Sequence, residues 1–302
     1  LPMIEYEDGH DGDGWSTQAL TIWAYVNGHL EGGGVKRGYG AAIRLWGTYD
    51  FNIKHPSISN LTDNVPTQLG YGVADGGWNT RINGLSSHNV RHAYTTSKST
   101  NTFTLEALDA YKAMTFGVTS GAIISNSHAS GGSSAIWDTH QDAQNAIFDN
   151  CIAENGGAFG FGIRGRNICL TSPIILNCVH GIEYFNDYDS DDPDDDYFNN
   201  SKRLQDFTSG MVTSPRMTVR GRCIDVRAAT LMVGGVGRYR TTAGCAVYVS
   251  GGTLVFSGSH RTVVDGNTVP DIGAALMEIG AANIYSASAF PLPKIVIDGD
   301  YE

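Results

Sequence analysis

The sequence predicts an all-β fold in which short strands coil into a solenoid, and three observations carry that expectation. Helical periodicity is nearly absent. Short pieces that alternate apolar with small or polar residues recur along the chain, separated by Gly and Asn. These pieces repeat at irregular offsets near a coil's usual ~20–30 residues. Ile163 to Ile182 is 19 residues, Cys223 to Cys245 is 22 and Cys245 to Ala274 is 29.

Taken in order, the coils include AAIRLWGTYDFNIKHPSISNL from Ala41 and YGVADGGWNTRINGLSSHNV from Tyr71. Phe103 to Met114 (FTLEALDAYKAM) is the best helical candidate. AIWDTHQDAQNAIFDNCIAEN follows from Ala135, then FGIRGRNICLTSPIILNC from Phe161 and GIEYF from Gly181. CIDVRAATLMVGG, CAVYVSGGTLVFSGS, AALMEIGAANIYSAS and KIVIDGD complete about ten coils of a single 1–302 domain. Ile, Val, Leu and Phe are expected to point inward. Asn83, Asn89, Asn150 and Asn177 are expected at turns, because Asn tolerates left-handed backbone and can ladder between coils. A sandwich would need crisp hairpins, for which Asp265-Gly266 and Asp298-Gly299 are the candidates. The chain opens without an initiator methionine and is expected to be a processed chain or a fragment of something longer.

Glycine numbers 38 of 302 residues, about 13% against a usual share of about 7%. Apolar residues make up 41% and charged ones 17%, enough apolar mass for a large core. No run of about 18 apolar residues is present, so no membrane helix is expected. Twenty basic against 31 acidic residues give a net charge of -11, which argues against nucleic acid as a partner. It also disfavours an anionic polymer, unless a locally basic cleft accepts one. Five cysteines without a CxxC pair fit neither a disulfide framework nor a zinc ribbon.

Stacked coils place equivalent residues in columns. Aligning Ile43, Val73, Ile163 and Ile182 as one inward column leaves Arg44, Ala74, Arg164 and Glu183 outward. Asp138 and Tyr94 are expected at the same height, with Asp75, His140 and Arg166 two residues on. Arg91, His92, Tyr184 and Trp137 stand nearby as candidate substrate contacts. Two chemistries could use such a face. A glycoside hydrolase needs a pair of carboxyl groups. Asp138 and Glu183, two coils apart, would stand about 9–10 Å from one another, near inverting geometry. A polysaccharide lyase would instead use His140 or Tyr94 as base with Arg164 as the cation. Asp138 and His140 project from one strand face, as a base with its orienting partner or as two metal ligands completed by His92 or His128. The run Asn186–Asn200 holds seven aspartates between Asp187 and Asp196. It is expected to be a solvated loop inserted after Glu183, with calcium as the alternative. Its flanking aromatics, Tyr184, Phe185, Tyr188, Tyr197 and Phe198, could wall a glycan groove.

The words YGVADGGWNTRINGLSSHNVRHAYTT and IWDTHQDAQNAIFDNCIAENGGAFGFGIRGRN resemble pectate-lyase-like, right-handed, single-stranded parallel β-helices. More narrowly, they resemble the tailspike depolymerases of bacteriophages. The resemblance implies three-sheet coils, a homotrimeric spike on a virion tail, and a bacterial surface polysaccharide as the extracellular target. It implies a carboxylate pair as the catalytic machinery, for which Asp138 and Glu183 are the matching positions, and no cofactor. Hydrolase stands ahead of lyase. A non-catalytic glycan-binding adhesin, or an isomerase or epimerase acting on a polymer, are the rival functions.

Overall fold

The computed structural model describes residues 3–5, 20–23, 26–62, 69–96, 121–140, 143–185, 208–242, 246–264, 267–269, 277–279 and 294–301. The chain is a right-handed parallel β-helix. Each coil contributes a strand to three ladders. The first runs from Leu20–Trp23 through Ala41–Tyr49, Tyr71–Trp78, His92–Thr96, Trp137–Asp138, Phe159–Ile163 and His180–Phe185. It continues through the starts of Ile224–Gly234 and Val247–Val264 to Met277–Ile279, ten coils among the described residues. The second ladder includes Asn52–Lys54, Arg81–Asn83, Ile123–Ser125, Ile147–Asp149, Ile168–Thr171 and Ser209–Thr213. The third includes Ser57–Ser59, Ser86–His88, His128–Ser130, Ile152–Glu154, Ile174–Cys178, Arg216–Val219 and Val236–Thr241.

The coil closes because one residue at each corner takes a left-handed conformation. Between the second and third ladders these residues are Gly32, His55, Gly84, Asn126, Asn150, Ser172, Ser214, Gly235 and Gly258. Asn is favoured there because its short polar side chain tolerates positive φ and finds a local partner. That partner is the asparagine one coil below. Asn150 donates to Asn126 at 3.0 Å, Asn89 to Asn60 at 3.1 Å and Asn167 to Asn145 at 2.8 Å. Asn89, Asn150 and Asn177 sit at such corners as expected. Asn83 does not: it lies within a strand and donates to the Ser125 hydroxyl.

The corner positions also measure the coils. Each advances 21 to 29 residues, except for two steps of 42, Gly84 to Asn126 and Ser172 to Ser214. Both long steps add their extra residues directly after a first-ladder strand, His92–Thr96 and His180–Phe185. The second step contains the acidic run 186–200, which lies outside the described residues, as does the helical candidate 103–114. Among the described strands one pairing is antiparallel, Thr262–Val264 with Asn267–Val269, and it closes across Asp265-Gly266. Asp298-Gly299 makes no hairpin and lies inside the strand Lys294–Tyr301. Val247–Val264 rounds two corners without a break. At Gly252 (φ 82°) a side chain would collide with the backbone of Ala229, one coil below.

Inward residues stack in register. Ile43, Val73, Tyr94, Trp137, Phe161, Ile182, Ile224 and Val247 form the first-ladder column. Across the interior stands the column Ile53, Ile82, Ile124, Phe148, Leu170 and Val212. The two meet in an aromatic cluster: Trp137 stacks on Phe161, and Phe148 sets its edge to Tyr94, Trp137 and Phe161. Cys151, Cys169, Cys178 and Cys223 are free thiols, three of them buried, in keeping with their apolar neighbours in sequence.

The candidate active face

The outer side of the first ladder carries the column Arg44, Ala74, Thr95, Asp138, Gly162, Glu183, Asp225 and Tyr248. Asp138 and Glu183 thus stand two coils apart, as the sequence predicts. Gly162 lies between them, and Asp225 extends the carboxylate line by one coil. All three carboxylates are almost fully buried, at 3%, 6% and 1% exposure. Buried charge requires partners, and each has them.

Asp138 is the hub. The Arg164 guanidinium reaches its two oxygens at 2.9 and 3.1 Å, with Nη2 shared between them. Nε2–H of His140 points at the same carboxylate at 3.3 Å, and Nε2 of His92 faces it at 3.7 Å. Burial alone would raise the Asp138 pKa. Arg164 first, then His92 and His140, outweigh that and hold it well below the usual carboxylate range. Its neighbour His92 is pushed down to about 4, chiefly by burial, with Asp138 opposing. His92 is therefore neutral at pH 7. Its Nδ1–H donates to the Ala135 carbonyl at 2.7 Å, which fixes the tautomer and leaves the lone pair on Nε2. Arg164 is itself oriented by the Thr139 carbonyl, which accepts from Nε at 3.0 Å, and by the Phe185 ring 5.2 Å away.

Beyond Gly162 a second cluster forms. Arg227 binds Asp225 through Nε at 3.0 Å and Nη2 at 2.9 Å, and its Nε also reaches Glu183 at 3.2 Å. Arg222 adds a contact to Asp225 at 3.1 Å and packs over Tyr248 at 3.8 Å. Hydrogen bonding to Asp225 raises the Arg227 pKa above its ordinary value. Gly162 keeps the two clusters apart. A side chain there would press on Ala135 and Asp138.

Several candidate residues lie elsewhere. Tyr94, Trp137 and Tyr184 point inward and are fully buried, so they present nothing to a ligand. Trp137 donates to the Ile152 carbonyl and Tyr184 to that of Ile168. Asp75 is interior too. Residues two apart share a strand face, so Asp75 follows Val73 inward. It accepts hydrogen bonds from Tyr94, Thr80 and the Gly77 amide, and burial raises its pKa. Arg164 is on the expected face but two residues further along. Ile163 pairs with Tyr184, and Phe161 is the partner of Ile182. A slip of two residues preserves the face, so Arg164 flanks the line between Asp138 and Glu183 without standing on it. Arg91 lies over Tyr71. Arg166 sits exposed at a corner where its backbone bridges to Gln144. Neither joins the cluster.

Asp225, Arg227 and Arg222 escaped the sequence reading, although a signal was present. Ile182-Glu183 and Ile224-Asp225 are the same apolar–carboxylate word in adjacent coils. No group of three or more metal-ligating side chains occurs among the described residues, and at Asp138 a guanidinium stands where a cation would bind. His128 pairs with Glu154 on the third ladder, away from this face. The calcium candidate at Asp187–Asp196 lies outside the described residues.

No known family model matches the chain. Among solved structures it is similar to the tailspike protein gp49 from Pseudomonas phage LKA1, with a TM-score of 0.50 and 13% identity. The match covers 88% of this chain and 48% of the tailspike, so the chain spans about half of that protein's length. A mutant of the periplasmic alginate epimerase AlgG aligns over 90% of this chain and 77% of its own, at 9% identity and a TM-score of 0.41. What the tailspike shares with this chain is its architecture, a right-handed parallel β-helix.

Proposed function

We propose that this chain binds and cleaves a bacterial surface polysaccharide, by glycoside hydrolysis, on the face that carries Asp138, Gly162 and Glu183. The observation that supports it most is the pairing of two carboxylates on one sheet face, with a glycine between them. Two parallel spacings separate the two residues along their column by about 9–10 Å, against roughly 6.5–9.5 Å between carboxyls in inverting hydrolases. Their environments divide the roles. Asp138, held ionised chiefly by Arg164, is the base that activates water. Glu183 shares Arg227 with Asp225, which binds that arginine bidentately, and is the acid that protonates the leaving oxygen. Phe185 and Tyr248 border the line, each with an arginine of these clusters over its ring.

One observation favours a second reading. His140 is a quarter exposed and bonded to Asp138, and Arg164 is beside it, the base-and-cation pair that a lyase uses on a uronate. Incubation with capsular polysaccharides from many bacterial strains, followed by mass spectrometry, separates the cases. Hydrolysis adds one water per cleaved bond. A lyase leaves an ultraviolet-absorbing unsaturated uronate and adds none. Stable glycan binding with no product in any strain would establish an adhesin instead.

The same reading places the protein on a virion tail, outside the cell, as a homotrimer. Its second ladder supports that assembly with an outward apolar stripe: Ile123, Ile147, Cys169, Met211, Met232 and Val255 stand in one register column. Ile147, Met211 and Met232 are 38%, 41% and 49% exposed. Three such stripes meeting side by side would cover one another. Sedimentation equilibrium is expected to return three times the chain mass. A monomeric mass contradicts the trimer.

A further inference from the structure

The third ladder changes character along its length. One outward column reads Ser57, Ser86, His128, Ile152 and Ile174, and then three arginines in succession, Arg216, Arg238 and Arg261. The column beside it brings up Arg240, opposite Thr218. All four arginines are exposed. Among the described residues none of the four makes an ion pair, in a chain whose net charge is -11. Like charges directly opposite one another on adjacent strands repel, so the fold gains nothing from stacking them. They line a groove of about 550 Å³, and Arg216 and Arg238 also border an adjoining one of about 260 Å³.

We propose that this groove is a second binding site, separate from the Asp138–Glu183 face, for a linear polysaccharide bearing carboxylate groups. Guanidinium forks recognise carboxylates in a bidentate way, and neighbouring coils present successive forks about 4.8 Å apart along one line. A linear polyanion can engage all three at once, which a single small anion cannot. Single-stranded nucleic acid is the less suitable occupant, because it needs aromatic faces to stack on and the tyrosine of this groove, Tyr239, is buried. The site is the locally basic exception to an acidic chain, and it lets the protein hold an acidic glycan whichever chemistry the other face performs.

The test uses the full chain and polygalacturonate as probe, with binding followed by calorimetry at several salt concentrations. Wild type is expected to bind polygalacturonate and not neutral dextran. The double variant Arg238→Ala/Arg261→Ala is expected to bind at least tenfold more weakly, with a salt slope reduced by about two, one per cation removed. Arg238→Lys/Arg261→Lys is expected to keep the salt slope while losing part of the affinity. Folding of each variant is checked by its melting temperature, which these exposed positions should leave in place. Equal binding by wild type and the alanine variant overturns the proposal, as does dextran binding as tight as that of polygalacturonate. Tighter binding of single-stranded DNA also overturns it. Release of oligosaccharide is a separate readout, so failure here and failure of the hydrolase reading remain distinguishable.

Discussion

Two outer faces of the same helix handle charge in opposite ways. On the first ladder, Asp138, Glu183 and Asp225 are buried and each is ion-paired. On the third, Arg216, Arg238 and Arg261 stand in the same kind of column, exposed and without acidic partners among the described residues. Water accounts for the difference. A solvated arginine costs little when left alone, whereas a buried carboxylate is tolerated only with its cation in place. Charges on the first face are therefore part of the fold, and those on the third are surplus to it and available to a ligand.

The contrast can be broken from either side. Arg164→Ala strands a buried carboxylate and is expected to cost about 3–5 kcal/mol in denaturant unfolding. A loss below about 1 kcal/mol would show that Asp138 does not depend on its partner. Next in size is a pH effect. The folded-state pKa of His92, about 4, lies below the ordinary imidazole value of about 6.5, so the unfolded chain binds the extra proton. Stability is then complete above about pH 6.5 and falls as the pH drops towards 4, by roughly 3 kcal/mol. The depressed pKa of Asp138 adds a further loss below about pH 4, where the unfolded carboxyl protonates. Urea titrations from pH 4 to 7 should show the slope in wild type and lose it in His92→Gln. The same slope in both proteins rules out His92 as its source. The smallest effect belongs to the third face, where Arg238→Ala should shift stability by no more than about 0.5 kcal/mol.

Much of this was legible in the residues. The alternation of apolar and polar positions places Ile43, Val73 and Ile182 in one column, and the outward neighbours Asp138 and Glu183 follow from it. Asparagine marks the corners because few other side chains accept the left-handed backbone there. Three things were hidden. A slip of two residues leaves the face unchanged, so nothing in the pattern flags that Phe161, not Ile163, pairs with Ile182. Tyr94, Trp137 and Tyr184 read as ligand-facing aromatics, yet their polar atoms find partners inside the coil, which lets them serve as core. The step of 42 residues from Ser172 to Ser214 breaks the period that would show Arg216, and after it Arg238 and Arg261, continuing the column of Ile152 and Ile174.

If the first face cuts glycan with two carboxylates in divided roles, removing one of them must stop the cutting without unfolding the protein. Asp138→Asn is a poor probe, because it would leave the partly buried Arg164 unneutralised and so disturb stability as well as activity. Glu183→Gln is the better one, since Arg227 keeps its bidentate partner Asp225. The decisive measurement is oligosaccharide release from a responsive capsular polysaccharide by this variant, beside its melting temperature. Release is expected to fall by at least about a hundredfold, the usual worth of a positioned general acid, in a protein that still melts near the wild-type temperature. Release at the wild-type rate would contradict it.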